Sequence, residues 1–173
     1  MRKVILSGVL SVCAVASAIG LIAASRATEE AAPGLDYTKI LPPDLVQKTP
    51  KGKLKNPYAD TQADIVEQGR KLFFAYGCNG CHGGGGGGGM CPPLTNDVWV
   101  YGGDDDTIFR LVTLGSDELQ KLGYTRIGRE NVVGPMPPFG AIIKSADDLW
   151  KIFAFVRSKY NGDPAYKFGA PPE

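Results

Sequence analysis

The sequence predicts an all-α domain of three to five helices with extended N- and C-terminal arms. Two stretches of helical periodicity, a proline-rich flank with none, and a cysteine–histidine motif between them carry that expectation. From Thr61 onward Ile65, Leu72, Phe73 and Tyr76 recur at helical intervals, and Asp64 and Glu67 suit the positive end of a first turn. Gly77 closes this helix. Near the other end, Ser145-Ala146-Asp147-Asp148 resembles a capping box, with Asp where Glu or Gln is usual. Leu149, Ile152, Phe153, Val156 and Tyr160 then form one apolar face, which stops at Asn161-Gly162.

Between these two helices the signals are shorter. Asp104-Asp105-Asp106 looks like a cation site at first sight. Adjacent carboxylates more often cap a helix, and Thr107 to Leu114 follows with Ile108, Leu111 and Val112 at helical spacing. Ca2+ is the weaker reading, because its ligands alternate along a loop. Gly115 to Glu130 is polar and ambiguous, with one turn at Asp117 to Leu122. Residues 28–60, with Pro33, Pro42, Pro43, Pro50 and Pro57, read as an extended arm lying over a domain that spans 61–160. Residues 161–173, with Pro164, Pro171 and Pro172, read as an extended tail.

Cys78-Asn79-Gly80-Cys81-His82 is the most specific stretch. C-x-x-C-H is the attachment site of a c-type haem: both thiols add to porphyrin vinyl groups, and the next residue ligates the iron. A redox C-x-x-C pair would need a βαβ context, and a zinc site a second ligand pair; neither is visible. His82 is the chain's one histidine and stands at the required place. Seven glycines, Gly83 to Gly89, follow it. No helix bearing Lys-Ser/Thr comes after them, so they form a flexible or unusually tight surface loop rather than a phosphate cradle.

The sixth iron ligand separates an electron carrier from a haem with an open site. Of three methionines, Met1 lies in the leader and Met90 only eight residues past His82. Met136 stands in Gly134-Pro135-Met136-Pro137-Pro138-Phe139, where flanking prolines stiffen the segment that presents its thioether. A thioether favours ferrous iron and raises the potential. The second nitrogen of a ligating imidazole is usually held by a carbonyl, and Pro92 or a neighbour in Cys91-Pro92-Pro93-Leu94 is placed to supply it.

The N-terminus has the layout of an export signal. Arg2 and Lys3 precede an apolar run from Val4 to about Ala24, and Ser25-Arg26-Ala27 is a small-x-small cleavage site, so residues 1–27 read as a signal peptide. An uncleaved anchor is the rival reading, which the many small residues disfavour. Cys13 leaves with the signal; Val12 before it suits a lipoprotein site poorly. Of 19 basic residues three lie in the leader, so 16 remain against 18 acidic ones, a formal net of −2. No basic footprint for nucleic acid is present.

Taken in order, these elements resemble class I cytochrome c: a helix, C-x-x-C-H, P-x-L, a proline-flanked Met and an aromatic C-terminal helix. The resemblance covers about residues 61–160. It implies an electron-transfer protein, not an enzyme, with one haem c on Cys78 and Cys81, His82 and Met136 as axial ligands, and Pro92 and Leu94 packed beside the haem. Gly69 and Phe73 match the first helix of that class, and Trp150 and Phe153 the aromatics of the last, which implies that these helices cross. Within the class, the proline-rich arm, the glycine run and Asn96-Asp97-Val98-Trp99 resemble cytochrome c-L. That implies a periplasmic acceptor of electrons from a pyrroloquinoline quinone (PQQ)-dependent methanol or alcohol dehydrogenase, which the glycine run likens to the lanthanide-type enzyme. A downstream cytochrome c or oxidase would take the electrons onward. Cys91 departs from the pattern, standing where a glycine usually precedes the proline, and is left as a free thiol. An uncharged haem edge is expected, with the charges in the N-terminal arm and at Asp104–Asp106.

Overall fold

The structure is a computed structural model that describes residues 35–128 and 134–169; the leader and the last four residues lie outside them. Six α-helices run in order among the described residues: α1 (Pro42–Lys48), α2 (Ala63–Ala75), α3 (Cys78–His82), α4 (Asp105–Leu114), α5 (Ser116–Lys121) and α6 (Ala146–Ser158). No strand occurs among them. No helix among the described residues is long and apolar enough to cross a membrane.

The domain is organised around the crossing of α2 and α6. A Cβ on Gly69 would stand 1.9 Å from the Lys151 carbonyl oxygen, so the two backbones touch at a point where only hydrogen fits. One turn further on, Phe73 meets Phe155 with ring centroids 5.3 Å apart. The helices cross as the resemblance implied, but the ring that meets Phe73 is Phe155. Trp150 and Phe153 instead pack on Phe109 of α4, at 4.2 and 6.2 Å between ring centroids. Helix α6 is therefore buried well beyond its one apolar stripe: Trp150, Ala154, Phe155 and even Arg157 are enclosed. Fully burying each such aromatic ring stabilises the fold by about 1.5–3 kcal/mol.

Caps and ion pairs set where the helices begin. The Ser145 hydroxyl accepts from the Asp148 amide at 3.1 Å, and the Asp104 carboxylate accepts from the Thr107 amide at 2.9 Å. The other two acids of the aspartate run are also engaged. Asp105 pairs with buried Arg157, which also donates to the Gly103 carbonyl. Asp106 accepts from Arg110, Tyr124 and the Leu54 amide. Burial alone would raise the Asp106 pKa; the Arg110 and Tyr124 donors outweigh it and hold the group below its usual value. That pairing stabilises the fold above the ordinary carboxylate range and is lost as pH falls through the depressed folded-state value.

Of the segment read as an extended arm, residues 35–60 are described, and they are part of the domain. Pro42 opens α1 at the position where a missing N–H costs nothing, so the prolines here start a helix. Leu45 and Leu54 join the core. Arg110 donates to the carbonyls of Val46, Thr49 and Pro50, and the Ala146 amide donates to Ile40, tying the segment to α4 and α6. The C-terminal tail likewise is not simply extended: it makes a 3-10 turn at Pro164–Tyr166, and Lys167 pairs with Asp60.

Gly69→Ala is expected to destabilise the fold by more than about 2 kcal/mol, because backbone rather than a flexible side chain must move. Urea unfolding of the variant checks this, with Gly85→Ala as a control at a position where nothing lies within 4 Å of the added Cβ. A loss for Gly69→Ala as small as the control's would contradict the close crossing.

Candidate haem site

Helix α2 ends at Ala75, and Gly77 turns the chain directly into α3, the five-residue helix that carries the C-x-x-C-H motif. The motif is thus presented by the far end of the helix that crosses α6. Cys78, Cys81 and His82 are partly buried and line one cavity of about 320 Å³. The His82 imidazole is oriented by its Nδ1, which lies 2.9 Å from the Pro92 carbonyl oxygen. With Nδ1–H donated to that carbonyl, Nε2 is the nitrogen available to a metal. Burial lowers the His82 pKa, opposed by the Pro92 bond, and so favours the neutral ring that a metal ligand requires. Burial also pushes the Cys78 thiol up to about 11.

The glycine run is tight, one of the two forms the sequence left open. The Gly88 amide donates to the His82 carbonyl at 2.9 Å, the Cys91 amide to Cys81 at 3.2 Å, and the Leu94 amide to Gly86 at 2.7 Å. These bonds fold the loop back so that Pro92 arrives beneath the imidazole. A Cβ on Gly83, whose φ is 75°, would lie 2.7 Å from the Gly88 oxygen, so the fold-back itself requires glycine. Gly85 and Gly87 face open space.

Residues of the 134–140 segment line the cavity as well, and the segment is suspended from the end of α4 and the start of α5. The Phe139 amide donates to Val112, the Gly140 amide to Thr113, and the Ser116 amide to the Met136 carbonyl, at 2.8, 3.1 and 2.9 Å. Met136 lines the same cavity as His82. Met90 does not line it and is 80% exposed.

The donor set fits a covalently held haem. Two thiols and an imidazole stand on one wall and a thioether is on the lining; Phe73, Leu94, Ile152 and Phe153 supply an apolar surround. Ser116 lines the cavity too, and its buried hydroxyl has no hydrogen-bond partner. A family model for cytochrome c matches residues 66–159, more than half of the chain. The chain belongs to the cytochrome c family. It is therefore an electron-transfer protein rather than an enzyme, and it carries haem c covalently. No curated protein sequence matches it closely enough to count as a relative. Among solved structures it is similar to cytochrome c-L from the marine methylotrophic bacterium Methylophaga aminisulfidivorans, with a TM-score of 0.50 and 21% identity over 80% of this chain and 77% of that one. At that identity the likeness is one of fold.

Several residues of this cytochrome's site were not assigned to it from the sequence. Trp99, noted only as part of the resemblance, lines the cavity and donates its indole N–H to the Leu94 carbonyl at 3.1 Å, while its ring meets Tyr160 edge-on. Ser116, Gln120 and Arg126, from the stretch that read as ambiguous, also reach the cavity. Cys91 lies against Cys81. Burial raises its pKa, and a hydrogen bond with the Cys81 thiol adds to the shift.

Three thiols therefore share this wall, and only two fit the motif. Cys78→Ala or Cys81→Ala is expected to leave a haem held by a single thioether. Cys91→Ser should leave both thioethers intact. Mass spectrometry of haem peptides and extraction into acidified organic solvent check this. In the native protein, thiol titration after unfolding should find one free group; a haem peptide joined through Cys91 would contradict the assignment.

Proposed function

We propose that this cytochrome c accepts single electrons in the periplasm from a PQQ-dependent methanol or alcohol dehydrogenase and passes them to a downstream cytochrome c or oxidase. Haem is joined to Cys78 and Cys81, with His82 and Met136 as axial ligands and Pro92 and Leu94 beside it. The observation that carries this reading is that one oriented imidazole and one suspended methionine line a single, largely apolar cavity. Two axial ligands held by backbone hydrogen bonds change little between ferric and ferrous iron, as rapid single-electron exchange requires. Two such exchanges would drain a two-electron quinol. The leader supports export, and the fold likeness to a methylotroph's cytochrome c-L supports the choice of donor.

Met136→Ala is expected to abolish the sulfur-to-iron charge-transfer band in the far red and to lower the potential. Met90→Ala should do neither. Loss of the band in the Met90 variant alone would reverse the assignment.

The docking face lies around the glycine loop. Phe74, 40% exposed, reaches within 3.4 Å of a Cβ built on Gly84, and Met90 is exposed next in the chain to Gly89. Arg70 over the Phe74 ring and Lys159 beside Gly86 are nearby charges. Of the charges expected at Asp104–Asp106, Asp105 and Asp106 are turned to Arg157 and Arg110 inside the fold. Transient redox interfaces are small, so one bulky residue at the centre disrupts them. Gly85→Trp adds that bulk in open space. It is expected to slow reduction by the dehydrogenase at least about tenfold, the cost of about 1.4 kcal/mol at an interface, and to leave reduction by ascorbate unchanged. Equal slowing with both donors would mean that the loop shapes the haem site. Normal reduction by the dehydrogenase would remove the loop from the interface.

A further inference from the structure

Among the described residues, Cys91 is the one cysteine outside the attachment motif, and it lies against the motif's second cysteine. Its amide donates to the Cys81 carbonyl at 3.2 Å, and its thiol is hydrogen-bonded to the Cys81 thiol. The two residues therefore meet through backbone and side chain together, the closeness that the short span of a disulfide demands. Cys78 is placed differently: it packs against the hydrophobic core.

The contact is built locally. The Gly83 amide donates to Asn79 and the Gly86 amide to Gly83, both at 3.0 Å, and the Gly89 amide donates to the Cys91 carbonyl at 3.2 Å. A Cβ on Gly89 would stand 2.9 Å from the Cys81 oxygen, so the chain comes back onto the motif only because a glycine precedes Met90. These bonds all fall between residues 79 and 91. The glycine run itself, rather than the distant helix α6, brings the two thiols together.

We propose that Cys81 and Cys91 are joined by a disulfide in the exported chain before haem is attached, so that Cys91 guards the attachment thiol. Outside the cytoplasm, thiols in contact are oxidised rather than kept reduced. The oxidant is another disulfide, on a protein or a small molecule. One thiolate attacks it, the partner thiolate displaces the mixed disulfide, and both electrons and both hydrogens leave with the oxidant as two thiols. Addition to a vinyl group requires the Cys81 S–H, so a dithiol must first reduce the bond and become a disulfide itself. Cys81 then adds its sulfur and hydrogen across the vinyl double bond, and Cys91 is left as the free thiol. While closed, the bond ties the ends of a loop whose glycines carry a large conformational entropy, and it holds Pro92 near His82 in advance.

The inference rests on export and on Cys81 as an attachment residue, but the test of the pairing needs neither. The haem-free full chain, carrying Cys13→Ser in the leader, is equilibrated with reduced and oxidised glutathione. It is then trapped with acid and an alkylating agent and digested for mass spectrometry. The Cys81–Cys91 peptide is expected to exceed the Cys78–Cys81 form by at least about tenfold. Cys78→Ala should keep the Cys81–Cys91 bond. Guanidinium should remove the preference, because the hydrogen-bonded fold-back is lost. Cys78–Cys81 as the main pair, Cys91 left free or joined to glutathione, or a preference that persists in guanidinium would each overturn the inference. Haem joined to residues other than Cys78 and Cys81 in the mature protein would instead overturn the reading beneath it.

Discussion

The contact between Gly69 and the Lys151 carbonyl is the constraint on which the rest of this cytochrome depends. Because no side chain separates the two helices there, α2 and α6 lie close enough for Phe73 to reach Phe155, and α6 sinks into the centre of the molecule. That position lets one helix contribute Leu149, Ile152, Phe153 and Val156 to the haem cavity while Trp150 and Phe153 hold α4. Helix α2 meanwhile delivers the attachment motif at its end. The attachment wall and the apolar interior are thus referred to a single crossing.

The two prospective axial ligands are supported by backbone rather than by packing alone. On one side the glycine run folds back through hydrogen bonds from Gly88 and Cys91 so that a proline carbonyl can hold the imidazole. On the other, three hydrogen bonds suspend the methionine segment from α4 and α5. Both devices limit movement of the ligands when the charge on iron changes. The glycine run also leaves the surface beside Cys81 almost without side chains, and under the proposed function that surface is the docking face.

How much could be read in advance follows from how local each signal is. The motif, the proline-flanked methionine and the Ser145 and Asp104 caps are short patterns whose meaning does not depend on distant residues, and the fold class follows from them. Pro42 and Pro43 misled because proline both ends regular structure and starts helices; the difference lies in Leu45, which finds a core place only in three dimensions. The aspartate run is ambiguous until Arg110 and Arg157, from other turns, are seen to claim two of its members. Ser116 and Arg126 were illegible for the same reason. A polar stretch with weak periodicity comes to line a cavity only in three dimensions, where Ile127 and Gly128 bond to the Val100 carbonyl.

The central claim is that the iron is closed on both faces, by His82 and by Met136. The most direct measurement is the absorption spectrum of the reduced protein before and after exposure to carbon monoxide at neutral pH. A six-coordinate carrier is expected to show a low-spin spectrum that the gas leaves unchanged. Rapid formation of a carbon monoxide complex would contradict that claim and mark an open site suited to ligand chemistry.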